Sequence, residues 1–141
     1  CMAWNRVQQD LLAVGYGSFD FKQQAAGMVA FWSLKNPTYP EWWITSSVGV
    51  TAIDFSASNG NLMAVGFYDG KVAIYDVRTC TDKPALESTH TNGKHSDPVW
   101  KLQWVDGGDE CGESLVSIST DGRVTQWSIK KGLVRQTHLY L

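Results

Sequence analysis

"VSISTDGRVTQWSIK" runs from Val116 to Lys130, and "AVGFYDGKVAIYDVR", Ala64 to Arg78, says nearly the same thing. With Asp69-Gly70 laid on Asp121-Gly122, Val72 falls on Val124 and Tyr75 on Trp127. Upstream, "VTAIDF" (Val50–Phe55) matches "VWKLQW" (Val99–Trp104), so a unit recurs with a period of about 50 residues. A third copy opens the chain. There "LLAVGYG" (Leu11–Gly17) matches "NLMAVGF" (Asn61–Phe67), and "GMVAFWSL" (Gly27–Leu34) matches "GKVAIYDV" (Gly70–Val77). In this copy the insert "SFDFKQQAA" replaces the Asp-Gly turn, and Trp32 holds the aromatic position.

Each copy reads as short strands. Asp-Gly between two apolar runs is a hairpin signal, and Asp69-Gly70 and Asp121-Gly122 are expected as turns with two positive-φ residues. Val72, Ile74 and Asp76 alternate with Ala73 and Tyr75, which is the period of a strand and not of a helix. Every unit supplies about four strands: inner "VTAIDF", then "LMAVGF", then "KVAIYDV", then an outer one such as "EWWIT" (Glu41–Thr45) or "ALEST" (Ala85–Thr89). Repeats of ~40–50 residues with four strands each are blades of a β-propeller. The expected fold is therefore all-β, with blades over 1–47, 48–96 and 97–141. The first blade is divergent, its long insert standing where the turn between second and third strands should be. Known propellers use about four to eight blades, so three leave the ring incomplete. Their two terminal faces should be open and apolar, and the piece alone poorly soluble.

Composition excludes several classes of function. Hydrophobic residues make up 43% of the 141 and charged residues 18%, a globular balance. A net charge of −2 gives no pull toward nucleic acid or an anionic membrane. No apolar run reaches the ~18 residues of a membrane span. Cys1, Cys80 and Cys111 are odd in number and form no CxxC pair, which fits a reduced, intracellular chain with the pairing of any two left open. The chain starts at Cys1-Met2 without a secretory leader and almost inside a strand, which reads as a piece of a longer protein.

Motifs for chemistry fail on inspection. A phosphate loop ending at Gly93-Lys94 would need glycine at Ser88 and a hydroxyl residue at His95. His90 and His95 have no second tightly spaced Cys or His pair for zinc. Ser117, His95 and Asp121 form a Ser/His/Asp set on paper, but the repeat register puts them inside a blade, where no substrate reaches a nucleophile. No catalytic residue, metal, cofactor or small-molecule substrate is expected. The stretch "NPTYPEWW" is different. Adjacent strand residues point to opposite faces, so Trp42 and Trp43 cannot both enter the same blade interface. One should pack, and the other, with Tyr39, is a candidate partner contact.

"GKHSDPVW" (Gly93–Trp100) followed by "VSISTDGRVTQW" (Val116–Trp127) resembles the WD repeat. That resemblance implies a buried hydrogen-bonded set of His95, Ser117, Asp121 and Trp127. The second unit departs from it, with Val65 for the serine and Tyr75 for the tryptophan. Taken in order, "LLAVGYGSFDF", "GMVAFWSLKNPTYPEWW", "AVGFYDGKVAIYDVR" and "GKHSDPVWKLQW" resemble the WD-repeat region of dynein intermediate chains, most closely the axonemal outer-arm type. The resemblance implies a non-catalytic scaffold whose propeller grips a dynein heavy-chain tail. Other intermediate and light chains would be held through parts of the protein outside this sequence. It implies a place in the cytoplasm, on the cytoskeleton and in the axoneme of a cilium or flagellum. Another WD-repeat scaffold, of cytoplasmic dynein or intraflagellar transport, is the alternative, and the "GYGSFDF" insert speaks against it. A propeller-fold enzyme would need polar side chains converging on a central channel.

Overall fold

The computed structural model describes residues 1–17, 26–106, 112–130 and 132–140, without the side chains of 134 and 136–140. It contains twelve strands among the described residues: β1 (Met2–Trp4), β2 (Leu11–Tyr16), β3 (Gly27–Ser33), β4 (Trp42–Ser46), β5 (Val50–Phe55), β6 (Leu62–Phe67), β7 (Val72–Asp76), β8 (Leu86–Glu87), β9 (Val99–Asp106), β10 (Glu113–Ser119), β11 (Arg123–Ser128) and β12 (Val134–Tyr140). They form three antiparallel four-stranded sheets, β1-β2-β3-β4, β5-β6-β7-β8 and β9-β10-β11-β12, each a simple meander. The sheets do not close into a ring, and the arrangement is an incomplete propeller.

Two cores lie between three sheets. Leu11, Ala13, Val29, Phe31 and Ile44 of the first sheet meet Val50, Ile53, Phe55, Met63, Val65 and Tyr75 of the second. Ala52, Ala64, Val72 and Ile74 on the second sheet's other face meet Val99, Leu102, Trp104, Leu115 and Trp127 of the third. The middle sheet is thus buried on both faces, which is why β6 and β7 carry apolar residues at nearly every position and not at alternate ones.

The outer faces show what a covering sheet does. Strand pairing makes Met2, Ile53 and Leu102 equivalent, and likewise Trp4, Phe55 and Trp104. Met2 is 69% exposed and Trp4 49%, whereas Ile53 and Leu102 are 8% and 2% exposed and Phe55 and Trp104 are buried. The same residue types are core or surface according to whether a sheet precedes them.

Three expectations need correction. Asp69 and Asp121 do not take positive φ; among the described residues only Cys80 and Leu133 do so outside glycine. The loops are three residues long, with Phe67 N–H bonded to Lys71 O at 2.9 Å and Gly70 N–H to Phe67 O at 3.1 Å. A loop of that length needs the left-handed conformation only at its last residue. Gly70 (φ 84°) and Gly122 (φ 78°) supply it, while Asp69 and Asp121 each accept the N–H two residues on at 3.0 Å. Second, the pairing sets Ala13–Tyr16 on Ala64–Phe67, one residue along from the end-to-end match of the two stretches. Third, the outer strand of the second sheet is only Leu86–Glu87. Most of the insert, 18–25, lies outside the described residues, as does Cys111; Cys1 and Cys80 are exposed free thiols.

Candidate functional site

The four residues of the WD-type set come from the loop before β9, from β10, from the β10–β11 turn and from β11, and the fold brings them together. Trp127 Nε1 donates to Ser117 Oγ at 2.8 Å. Ser117 Oγ lies 2.7 Å from His95 Nε2, and His95 Nδ1 lies 2.9 Å from Asp121 Oδ2. Trp127, Ser117 and His95 are all buried. Asp121 is capped from its other side by Arg123, whose Nε and guanidinium nitrogen reach Oδ2 at 2.9 and 2.7 Å. Ser96 N–H adds a further bond at 3.2 Å, and Arg123 ties back to Lys94 O at 3.1 Å.

The electrostatics fix the direction of these bonds. Burial by itself would raise the Asp121 carboxyl, but hydrogen bonds from Arg123 and His95 outweigh it and its pKa falls to about 2. Burial holds the His95 imidazole below its ordinary value despite the pull of Asp121. A neutral imidazole beside an ionised carboxylate must carry its proton on Nδ1. Nε2 then accepts from the Ser117 hydroxyl, and the hydroxyl oxygen accepts from the indole. Donation runs one way from indole to hydroxyl to imidazole to carboxylate, and the Arg123 guanidinium donates to the same carboxylate from its other side. Every buried polar atom in this relay is satisfied.

The same geometry has the spacing of a Ser-His-Asp triad, but its chemistry is different. Ser117 is fully buried and its oxygen is engaged by Trp127, so no external carbonyl can reach it. In the second sheet Val65 and Tyr75 occupy the equivalent positions, and a valine has no polar atom to join such a relay.

Two further side chains lock the sheets to one another and carry no signal in the motif. Asn5, just past β1, donates from Nδ2 to Gly60 O at 2.6 Å while its Oδ1 accepts from Val7 and Gln8 N–H. Glu113, opening β10, accepts from Ala57 N–H at 2.9 Å, Ser58 N–H at 3.0 Å, Ser58 Oγ at 2.7 Å and the Ser56 hydroxyl. Burial pushes the Glu113 carboxyl up, and these bonds outweigh it and hold the group below the usual range. One loop, Ser56–Asn61, is therefore gripped by the first sheet and by the third. The partners lie more than fifty residues apart in sequence, which is why no local pattern announces them. Arg123 had a signal: it stands two residues past Asp121, where a donor to a turn aspartate belongs.

The aromatic stretch divides as strand geometry requires. Trp42 stacks on its cross-strand partner Phe31, ring centroids 3.9 Å apart and planes within 9°, against the first core. Trp43 points the other way, is 45% exposed, and meets the exposed Tyr39 edge-on at 6.0 Å. A second aromatic feature is a cleft of about 400 Å³ lined by Tyr16, Tyr68 and Trp100 together with Thr51. His90 is exposed, and among the described residues no group of His, Cys, Asp and Glu is arranged to hold a metal.

A family model described as the N-terminal β-propeller domain of nucleolar protein 10-like proteins matches residues 5–137. "Dynein axonemal intermediate chain 4" of Xenopus laevis is 51% identical over 94% of this chain and 18% of its own length. The Homo sapiens protein of the same name is 50% identical over 94% of this chain and 16% of its own. "Dynein, 78 kDa intermediate chain, flagellar outer arm" of Chlamydomonas reinhardtii is 42% identical over 92% of this chain and 19% of its own. The chain spans less than a fifth of the length of these relatives.

Proposed function

This chain belongs to the β-propeller family whose model it matches, with a sequence similar to the WD-repeat region of axonemal dynein intermediate chains, and on that premise we propose that it is part of a scaffold subunit of an axonemal dynein. Its propeller binds the tail of a dynein heavy chain, without catalysis of its own, and supports arm assembly and microtubule-based ciliary movement. The observation that carries this reading is identity of about half over nearly the whole chain to proteins named as axonemal intermediate chains. The protein's places are the cytoplasm, the cytoskeleton and the axoneme of a cilium or flagellum. Other intermediate and light chains bind through parts of the subunit outside this sequence. We take the arm to be an outer one, on the name of the Chlamydomonas relative.

A blade platform suits such a role. Its backbone is closed by hydrogen bonds and its exposed side chains are held in place before a partner arrives, which lowers the ordering cost of binding. Trp43 with Tyr39 supplies the contact, since Trp42 is committed to packing on Phe31.

The test is recovery of partners. The full-length protein is tagged, isolated from ciliated cells, and what comes with it is identified by mass spectrometry. A dynein heavy chain is expected, reduced about tenfold by Trp43→Ser with the propeller still folded. Absence of any heavy chain overturns the reading. Undiminished recovery with Trp43→Ser removes the aromatic contact alone, and inner-arm heavy chains in place of outer-arm ones correct the arm alone.

A further inference from the structure

Strand pairing makes three positions equivalent. Gly15 pairs with Val29, Gly66 with Val72 and Ile118 with Val124, each across the second and third strands of its sheet. The first two face the following sheet at very close range. A Cβ on Gly15 would stand 2.7 Å from Val50 Cγ1 and 2.8 Å from Ile53 Cδ1, and one on Gly66 would stand 2.9 Å from Val99 Cγ1. Val50 and Val99 are equivalent in turn: each opens its inner strand, opposite Phe67 and Ser119 respectively, beside a register shift. A valine thus enters a glycine socket at both seams.

The third sheet has no socket. Ile118 is 39% exposed on the outer face and projects a β-branched side chain where the other sheets have none. Around it, Gln126 stands where Phe31 and Ile74 stand, and its amide donates to Ser114 Oγ at 2.9 Å. At the rim, however, the older pattern continues. Gly27, Gly70 and Gly122 each lie two residues before the paired valine. A Cβ on Gly27 would collide with the Val48 carbonyl oxygen, and one on Gly70 with the His95 carbonyl oxygen, because the segment entering the next sheet lies across them. Over Gly122 there is nothing within 4 Å.

We propose that the outer face of the third sheet receives a further four-stranded sheet of the full-length protein through a seam of reversed shape. The entering segment crosses Gly122 as 48–50 crosses Gly27 and 95–97 crosses Gly70. The inner strand of that sheet then carries glycine or alanine where Val50 and Val99 stand, so that Ile118 is the knob and the newcomer holds the socket. This inference rests on the repeat geometry and not on the dynein reading. The seam discriminates among sheets: one that opens with valine, as the second and third do, collides with Ile118 and is rejected.

The test is a swap in the full-length protein. Ile118→Gly leaves a hole and is expected to lower Tm by about 5 °C. Replacing the small residue that opens the following inner strand with valine gives a comparable fall. The two changes together rebuild the Gly15–Val50 arrangement and restore more than half of the loss. Should the single variants fail to fold, cysteines at both positions of an otherwise wild-type chain give a second readout, since the two Cα atoms come within disulfide range and cross-link on oxidation. Additive losses from the two changes, a valine or larger residue already at that position, or no cross-link would each overturn the proposal.

Discussion

Ser117→Ala isolates the relay, because it removes one oxygen atom and strands two partners. Trp127 Nε1 loses its acceptor and His95 Nε2 loses its donor, and neither has access to water, with both side chains essentially unexposed. An orphaned buried polar group costs about 1–3 kcal/mol, so the expected loss is about 2–6 kcal/mol, a large part of a stability of about 5–15 kcal/mol. Ser119→Ala is the control. Its hydroxyl donates to Asp97 O at 3.0 Å and accepts a long bond from Asp121 N–H at 3.4 Å, both backbone groups, so its loss strands no side-chain partner and should cost only about 1 kcal/mol. Trp127→Phe in the Ser117→Ala background removes the indole donor as well, so the double variant should be more stable than the sum of the singles by about 1–3 kcal/mol. Urea unfolding of the full-length protein, followed by far-ultraviolet circular dichroism, reads all four. A loss within 0.5 kcal/mol of zero for Ser117→Ala, or strict additivity in the cycle, would refute the one-way relay.

The acid limb should report Asp121. Its folded pKa of about 2 lies below the ordinary value, so the stability it contributes is complete above about pH 4 and is lost as pH falls through 2; the amount is about 2 kcal/mol. Asp121→Asn should flatten unfolding curves between those values while lowering stability at neutral pH. Gly27→Ala should destabilise strongly, since its Cβ meets backbone and not a movable side chain; in the full-length protein Gly122→Ala should do so comparably, because the proposed following sheet lays its entering segment across it, and a loss of only the ~1 kcal/mol of its left-handed φ in a comparison of melts would count against that sheet. The isolated 141-residue piece, with the faces around Trp4 and Ile118 both open, should associate; a sharp, reversible melt from a sedimenting monomer would count against two open seams.

The strand pattern was legible because the repeat wrote it three times. Two copies of "DG" with matching flanks are a stronger signal than either alone, and the burial of Val72 through Tyr75 follows from their place in a middle sheet. The turn type was not legible from Asp-Gly. The same dipeptide serves two-residue and three-residue loops, and only the pairing of Phe67 with Lys71 separates them. The relay of His95, Ser117, Asp121 and Trp127 could be read as candidates because their identities recur in a motif. Asn5 and Glu113 could not, since their partners sit on other sheets and are chosen by proximity after folding. Ile118 looks ordinary in the sequence. It becomes informative only when strand register shows that it holds the position Gly15 and Gly66 hold in the other two sheets.

The loop Ser56–Asn61 has a mechanical meaning. Asn5 pulls on Gly60 from one side and Glu113 on Ser56–Ser58 from the other, so shear applied to one seam is passed through six residues to the next. The three sheets therefore stiffen one another. Under load they deform together rather than hinging at a single boundary, and the first bond to yield decides whether slip begins on the Asn5 side or the Glu113 side.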